Sequence, residues 1–536
     1  MSIASTNTTI SRPASLAPVL SGRWALTWQQ TLVVATLSSL FLACSFLPLE
    51  TTQLPSHLSY GQSILSHGRL PAAELTMPLA EGMGSINSSW LAQAALAKIE
   101  LIAGIEGVSV GCALLMTVAL AVLFGVFYRQ SRLAVATVMM LVGVATFVIQ
   151  GSLIGGPGVF GLMSLAALLW ILACSLPWRS FTAPPRGNTS EVPRWAWPAM
   201  FALFAVWTNL HASFLVGLVI LACHVVGRAW QVACRDKSLL APLRDRAVWT
   251  WVLLLEVALL ATLINPYGWN LLPEMARTAF GSELFSPLGG ALALTSLAGW
   301  QFVLSIVLLV VLLRHSRQRV SAVAVVLLLS AACGAIASSM LLPYFAITLA
   351  FVLMPHVRDC WLRAFGRQPN AAAVEPTGAW DFRFTMLSVL IVWTAFAFSP
   401  LSRPMLGGAA RPVAQMLSAT TPHSTVDYFR QQPPDTTVWA PSWWGGWLTW
   451  AGGNEVSVIA TSQVHLLPLS TQRDYLRVAQ AHSGWRATLD RLGISTIVVD
   501  RRQQPSLATA ARKASDWRLV FEDEQALVFQ HREEEE

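Results

Sequence analysis

The sequence predicts an all-α polytopic membrane protein of about eleven spanning helices, followed by a small C-terminal α/β soluble domain. Three observations predict it. Of 536 residues, 54% are hydrophobic and only 12% are charged, where a soluble domain carries about 25% charged residues. Apolar runs recur from Trp28 to Pro400, and the short connections between them hold most of the Arg and Lys. Beyond Pro400 the periodicity changes to that of short strands and helices.

A water-exposed fold so poor in charge would present large apolar patches, so a bilayer is the solvent that fits. The net charge of +7 would suggest nucleic acid in a soluble chain. Here the basic residues fall between spans, where a topology signal accounts for them, and no nucleic-acid partner is expected.

Residues 1–29 are polar and show no compact signal peptide with a small-residue cleavage site, so the first apolar run is expected to remain as an uncleaved anchor. A spanning helix needs about 20 largely apolar residues. Candidate runs are 30–49, 107–128, 133–150, 157–176, 195–209, 212–230, 248–265, 299–313, 320–337, 341–357 and 384–400. With a cytoplasmic N-terminus, Arg129, Arg132, Arg179, Arg186, Arg194, Arg235, Lys237, Arg244, Arg246, Arg314, Arg317, Arg319, Arg358, Arg363, Arg367 and Arg383 all fall inside. The opposite face receives mainly Arg69, Lys98 and Arg277. An odd number of spans then places residues 401–536 outside, in the periplasm of a bacterial inner membrane, together with two long outward loops, 50–106 and 266–298. The seven Cys lack CxxC spacing and lie in or beside spans, as small apolar packers do.

In the tail, HSTVDYFRQQPP reads as a short helix stopped by Pro433 and Pro434. TVWAPSWWGGWLTW reads as a strand, a Gly turn and a second ordered element. EVSVIA and STIVVD read as strands, YLRVAQAH and WRATLDRLG as helices, and WRLVFEDE with ALVFQHR as a hairpin. Trp443, Trp444, Trp447 and Trp450 suit docking on the membrane part, interfacial anchoring or stacking on a sugar. Glu533–Glu536 read as a solvated acidic tip.

Polar residues that could carry chemistry gather on the outward side. The first loop holds Gln53, His57, Glu74, Glu81, Asn87 and Trp90. A carboxylate there could hold a divalent cation, Mg or Mn, opposite a diphosphate, or accept the proton of an attacking hydroxyl. VWTNLHASF puts Asn209 and His211 where one span emerges and the next re-enters. Each is expected to act as a helix-end cap or as a ligand contact. LINPYGWN supplies Asn265 and Tyr267 at the next outward end, and ASSMLLPYF supplies Tyr344 but no cation. A phosphate site ordinarily has an Arg or Lys clamp; by sequence Arg69 and Arg277 are nearest. No P-loop, dinucleotide fingerprint, zincin helix or nucleophile elbow occurs, so ATP-driven and dinucleotide chemistry have no support. Paired intramembrane acids and repeated halves, which a proton-coupled transporter would show, are also missing.

Together these motifs resemble the GT-C type of multi-pass, polyprenyl-phosphate-dependent glycosyltransferases, in particular a bacterial branch with a small C-terminal periplasmic domain. HLSYGQSILSHGRLPAAELT followed by NSSWLAQ matches that branch's first-loop pattern at His57, Gly61, Gly68, Pro71, Glu74 and Trp90. Trp207, Asn209 and His211 match its Trp-x-Asn-x-His-Gly, with Ala212 in place of the Gly. Asn265 to Gly268 match Asn-Pro-Tyr-Gly, and WWGGWLTW and WRLVFEDEQALVF match its terminal domain. The likeness runs from about residue 50 to 530.

The resemblance implies sugar transfer from a polyprenyl-phosphate donor to an envelope glycan, lipid or protein. Glu74, His57 and His211 would be catalytic, and Asn209, Asn265, Tyr267, Trp90, Arg69 and Tyr344 would bind substrate. Glu81 would help hold a cation whose other ligands are not indicated. Four departures stand against it: Gln53 occupies the first acid's position, Glu74 replaces Asp, ASSMLLPYF lacks a basic residue, and ATSQVH replaces Asp-Gly-Arg. A catalytically inactive scaffold or accessory subunit of a membrane complex, and a lipid or glycan transporter, therefore stand beside the transferase reading.

Overall fold

A computed structural model describes residues 24–49, 52–71, 74–80, 86–150, 155–175, 192–280, 290–366, 379–409 and 411–532. The membrane part consists of α1 (Trp28–Phe46), α2 (Leu54–His67), α3 (Trp90–Ser131), α4 (Ala134–Gln150), α5 (Gly158–Ser175), α6 (Ala196–Leu210), α7 (Phe214–Asp236), α8 (Arg246–Ala261), α9 (Leu271–Phe280), α10 (Leu297–His315), α11 (Ala322–Ala337), α12 (Leu342–Phe365) and α13 (Ala379–Phe398).

Every one of the eleven apolar runs lies on a helix. By length and composition, six helices among the described residues suffice to cross a membrane, or seven if α13 and the turn after it, bent by 78°, form one span. α4, α6, α8 and α11, at 15 to 17 residues, fall short of the ~20 residues that a straight crossing needs. The figure of eleven spans thus rests on the charge pattern. That pattern has a structural counterpart: α3, α7, α10 and α12 all carry basic residues in their last turn, Arg129, Arg235, Arg314 and Arg363. Cations there also meet the negative end of the helix dipole.

The segment 50–106, expected as a loop, is largely helical. α2 occupies its first third, capped at its C-terminus by Gly68 in the left-handed region (φ 65°). α3 begins at Trp90, well before the apolar run, and breaks at Gly104 (φ 65°, ψ −171°), a conformation open to glycine. The part of α3 before the break packs on α2, where Gly61 lies against Gln93 and Ala97, and the part after it joins the bundle. Just beyond the break, Glu106 pairs with Arg403 (2.9 Å) and Arg411 (2.8 Å), anchoring the chain that leaves the last span.

The tail contains two single turns, α14 (Arg403–Leu406) and α15 (Val413–Met416), then α16 (His423–Gln431), β1 (Val438–Trp439), α17 (Ser442–Gly452), α18 (Leu469–Ala479), α19 (Trp485–Arg491), β2 (Thr496–Asp500), α20 (Pro505–Lys513), β3 (Trp517–Glu522) and β4 (Ala526–His531). The sheet order is β1-β2-β4-β3, with β1 parallel to β2 and the other pairs antiparallel. Two readings differ from this. EVSVIA contributes a single bridge, Val438 to Val458, instead of a strand. WWGGWLTW is a helix, α17, with no Gly turn.

The glycines of α17 serve close approach. A Cβ on Gly446 would meet Ser56 Oγ of α2 at 2.5 Å, and one on Gly445 would run into the Ala460 backbone. α17 therefore seats the tail on α2, with Trp444 and Trp447 buried in a core shared with the bundle and Trp443 and Trp450 packed at its edge. All seven cysteines are free.

Candidate active site at the outward helix ends

The site is built where α2, the start of α3, the α6–α7 break and the end of α8 meet. Asn209 holds three of these together. Its Oδ1 accepts the indole N–H of Trp90 at 2.8 Å, and its Nδ2 donates to the carbonyls of Ala205 (2.8 Å) and Ile264 (2.7 Å). Asn265 is likewise satisfied within its own turn: it donates to the Thr262 and Gly268 carbonyls and accepts from Tyr267 N–H at 2.7 Å. Both asparagines, expected as substrate contacts, are thus tied to the protein. Their amide N–H groups are used within the protein, so they shape the site's walls and keep only one acceptor position each on Oδ1.

The α6–α7 break is set by packing. A Cβ on Gly161 of α5 would come within 2.8 Å of His211 Nδ1, so only a glycine lets the loop lie this close. His211 caps α6 in an extended conformation, and its Nδ1 accepts the Ser213 backbone N–H at 3.1 Å. Ser213 Oγ in turn accepts the Trp207 indole N–H at 3.0 Å. The hydroxyl of Tyr344, at the start of α12, lies beside Ser213 and is buried without a hydrogen bond of good geometry.

On α2, His57 and Tyr60 are three residues apart and share a helix face, about 5–6 Å between Cβ atoms. His57 Nδ1 meets Gln93 Nε2 at 2.9 Å. Tyr60 donates to Glu74 Oε2 and sits 3.4 Å from Gln463 Oε1 of the tail. Glu74 Oε1 accepts from the backbone N–H of Thr76 at 3.0 Å and from its hydroxyl. Glu74 is 6% exposed, so these donors replace the water a buried carboxylate loses. The Tyr267 hydroxyl lies beside the Asn87 backbone, buried and without a hydrogen bond of good geometry.

Burial sets the charge state of the imidazoles. It lowers His57 to about 4, with repulsion from nearby His211 adding to the effect, and it lowers His211 to about 4. Both are neutral at ordinary pH. Burial and the Glu74 charge push Tyr60 far above the usual phenol range, and burial raises Tyr267.

Of the remaining sequence expectations, Arg69 lies away from this cluster. Arg69 follows the far end of α2, about 15 Å along the axis from His57 at 1.5 Å per residue, and is exposed with no ion pair among the described residues. Glu81 lies outside the described residues, as does the side chain of Arg277. A divalent cation does not fit the groups described: both oxygens of Glu74 accept hydrogen bonds, and among the described residues no three of His, Cys, Asp and Glu stand close enough together to hold one metal ion.

No family model and no curated relative matches the chain. Solved structures do. It is similar to the oligosaccharyltransferase of Archaeoglobus fulgidus tethered to an acceptor peptide, at 11% identity over 95% of this chain and 74% of that one, TM-score 0.51. It is similar also to apo ArnT from Cupriavidus metallidurans, at 12% identity over 93% of this chain and 96% of that one, TM-score 0.51. The chain has a GT-C-like fold. At such identities the likeness is one of architecture.

Within the GT-C-like fold, sequence reasoning passed over Tyr60, Thr76, Gln93, Ser213 and Gln463. Tyr60 had a signal, its spacing of three from His57. Gln463 had one too: it lies in ATSQVH, the segment that departs from the resemblance.

Proposed function

We propose that the protein is a membrane glycosyltransferase that takes a sugar from a polyprenyl-phosphate donor. The observation that carries this is the meeting of His57, Tyr60 and Glu74 with His211 and Tyr267 at one end of a GT-C-like bundle, opposite the basic helix ends. Under the positive-inside rule that end faces the periplasm of a bacterial inner membrane, where the tail also lies. The acceptor is a hydroxyl of an envelope glycan, lipid or protein.

In this reading Glu74 is the general base. It takes the acceptor's proton as the hydroxyl oxygen bonds to the anomeric carbon and the bond to the lipid phosphate breaks, with inversion. Tyr60 and Thr76 hold the carboxylate in place. Asn209 and Asn265 position the walls, and Tyr267 and Tyr344 offer hydroxyls to the substrate. The GT-C-like fold and the burial of Glu74 among fixed donors support this. A second reading, a scaffold that binds without turnover, is favoured by Gln53, which begins α2 as an exposed residue and supplies no second acid.

The test is Glu74→Gln in full-length protein reconstituted with undecaprenyl-phosphate-linked sugar. Transfer reading: release of undecaprenyl phosphate falls at least a hundredfold, the scale of a lost general base, while Glu74→Asp retains part of it. Full release by Glu74→Gln removes Glu74 as base. Absence of release in the wild type favours the scaffold.

A further inference from the structure

A chain of hydrogen bonds behind His57 runs in a single direction. The backbone N–H of Ser89 donates to Asn87 Oδ1 at 3.1 Å. A backbone amide can only donate, so the Asn87 oxygen faces Ser89 and its Nδ2 faces Gln93, 2.5 Å from Oε1. Gln93 must then turn its Nε2 to His57 Nδ1, at 2.9 Å. One backbone donor thereby settles two amide orientations that are otherwise interchangeable. Since Nδ1 of His57 accepts, the neutral ring carries its proton on Nε2. His211 obeys the same rule, because its Nδ1 accepts the Ser213 N–H. Among the described residues neither Nε2 has a hydrogen-bond partner, and neither is a buried orphan, so both are open to a ligand.

We infer that Asn87 and Gln93 are positioning residues that lock His57 as its Nε2–H tautomer, so that His57 and His211 present two neutral N–H donors to a phosphate oxygen. This rests on the proposed transfer reading and deepens it. A buried anion needs donors, and among the described residues no Arg or Lys is bonded into this cluster. Two imidazole N–H groups supply the donors without the cost of burying a cation. Burial keeps both rings neutral over the range in which the lipid phosphate is charged. The Glu74 charge is directed into Tyr60 and Thr76, away from the relay. The relay also makes a specific claim about residues remote from any ligand: reversing Asn87 or Gln93 must turn the His57 donor into an acceptor.

Asn87→Asp does this. Its second oxygen can only accept, so Gln93 rotates, presents Oε1 to His57 and draws the proton to Nδ1. Gln93→Glu does the same one step later and serves if the first variant folds poorly. Full-length protein labelled with 15N-histidine in lipid bilayers is examined by solid-state NMR, with His57 assigned by difference from His57→Gln. Binding of undecaprenyl phosphate is measured on the same samples. We expect an Nε2–H signal for His57 in the wild type, an Nδ1–H signal in both variants, and undecaprenyl phosphate bound about tenfold more weakly or worse, since a lone pair would then face the anion. An Nδ1–H wild type, or variants that leave the tautomer unchanged, would overturn the inference. A switched tautomer with unchanged binding overturns the phosphate assignment alone. A wild type with the expected tautomer that binds no undecaprenyl phosphate overturns that assignment together with the transfer reading.

Discussion

Trp90 and Asn209, 119 residues apart, are joined by an indole N–H to Oδ1 bond of 2.8 Å, and the amide of the same asparagine reaches across to the Ile264 carbonyl. One side chain thus fastens the start of α3 to the end of α8. Asn209→Leu leaves the indole donor and the Ile264 carbonyl without their partner in a partly buried place, at up to about 1–3 kcal/mol each. Trp90→Phe removes one donor and leaves one acceptor. The expected order of thermal midpoints for the purified full chain is wild type, Trp90→Phe, Asn209→Leu. Equal midpoints for the two variants would show that the Ile264 contact contributes nothing.

Acid should weaken the site in a defined window. The free imidazole value is near 6.5 and the folded values of His57 and His211 lie near 4. Between these limits the unfolded chain binds more protons than the folded one, so stability is intact above about 6.5 and is lost as pH falls toward 4. Melts at pH 7.5, 5.5 and 4.5 are expected to show this loss, with a shallower slope for His57→Gln. Parallel slopes would mean that His57 is not held neutral by its surroundings.

Docking of the tail depends on Gly446. Gly446→Leu sets a branched side chain against Ser56 of α2, an overpacking that costs about 1–3 kcal/mol or more. Limited proteolysis should release the tail faster. Ser56→Gly in the same chain removes the opposing hydroxyl, itself buried without a partner, and should restore part of the protection. No restoration would place the strain elsewhere.

Tyr60→Phe keeps the ring and removes the donor to Glu74 Oε2. Under the transfer reading kcat drops by about tenfold, the worth of one hydrogen bond to a charged group, with KM for the lipid-linked sugar little changed. A change confined to KM would move Tyr60 from support of the base to contact with the donor.

The helices were legible because lipid excludes charge, and the gaps in charge mark each apolar run. The face of the site was legible because Arg129, Arg235, Arg314 and Arg363 mark the other one. Less legible was segment 50–106, since α2 is half polar and the start of α3 is an apolar stretch broken by Gln93, Lys98 and Glu100, and both are stabilised by packing on each other. The Gly-Gly of α17 reads as a turn in the sequence because its cause, Ser56 and the Ala460 backbone, lies on remote segments. The same holds for Asn209 and Asn265: their composition suggested ligand contacts, but the carbonyls they hold, Ile264 and Gly268, are visible only in three dimensions.

The most direct test is the position of a bound lipid phosphate. A cryo-EM structure of the full-length protein with undecaprenyl phosphate should show the phosphate within hydrogen-bond distance of His57 or His211, on the Glu74 side of α2. A phosphate bound elsewhere on the bundle, or a cluster closed over by side chains with no ligand in it, would contradict the account.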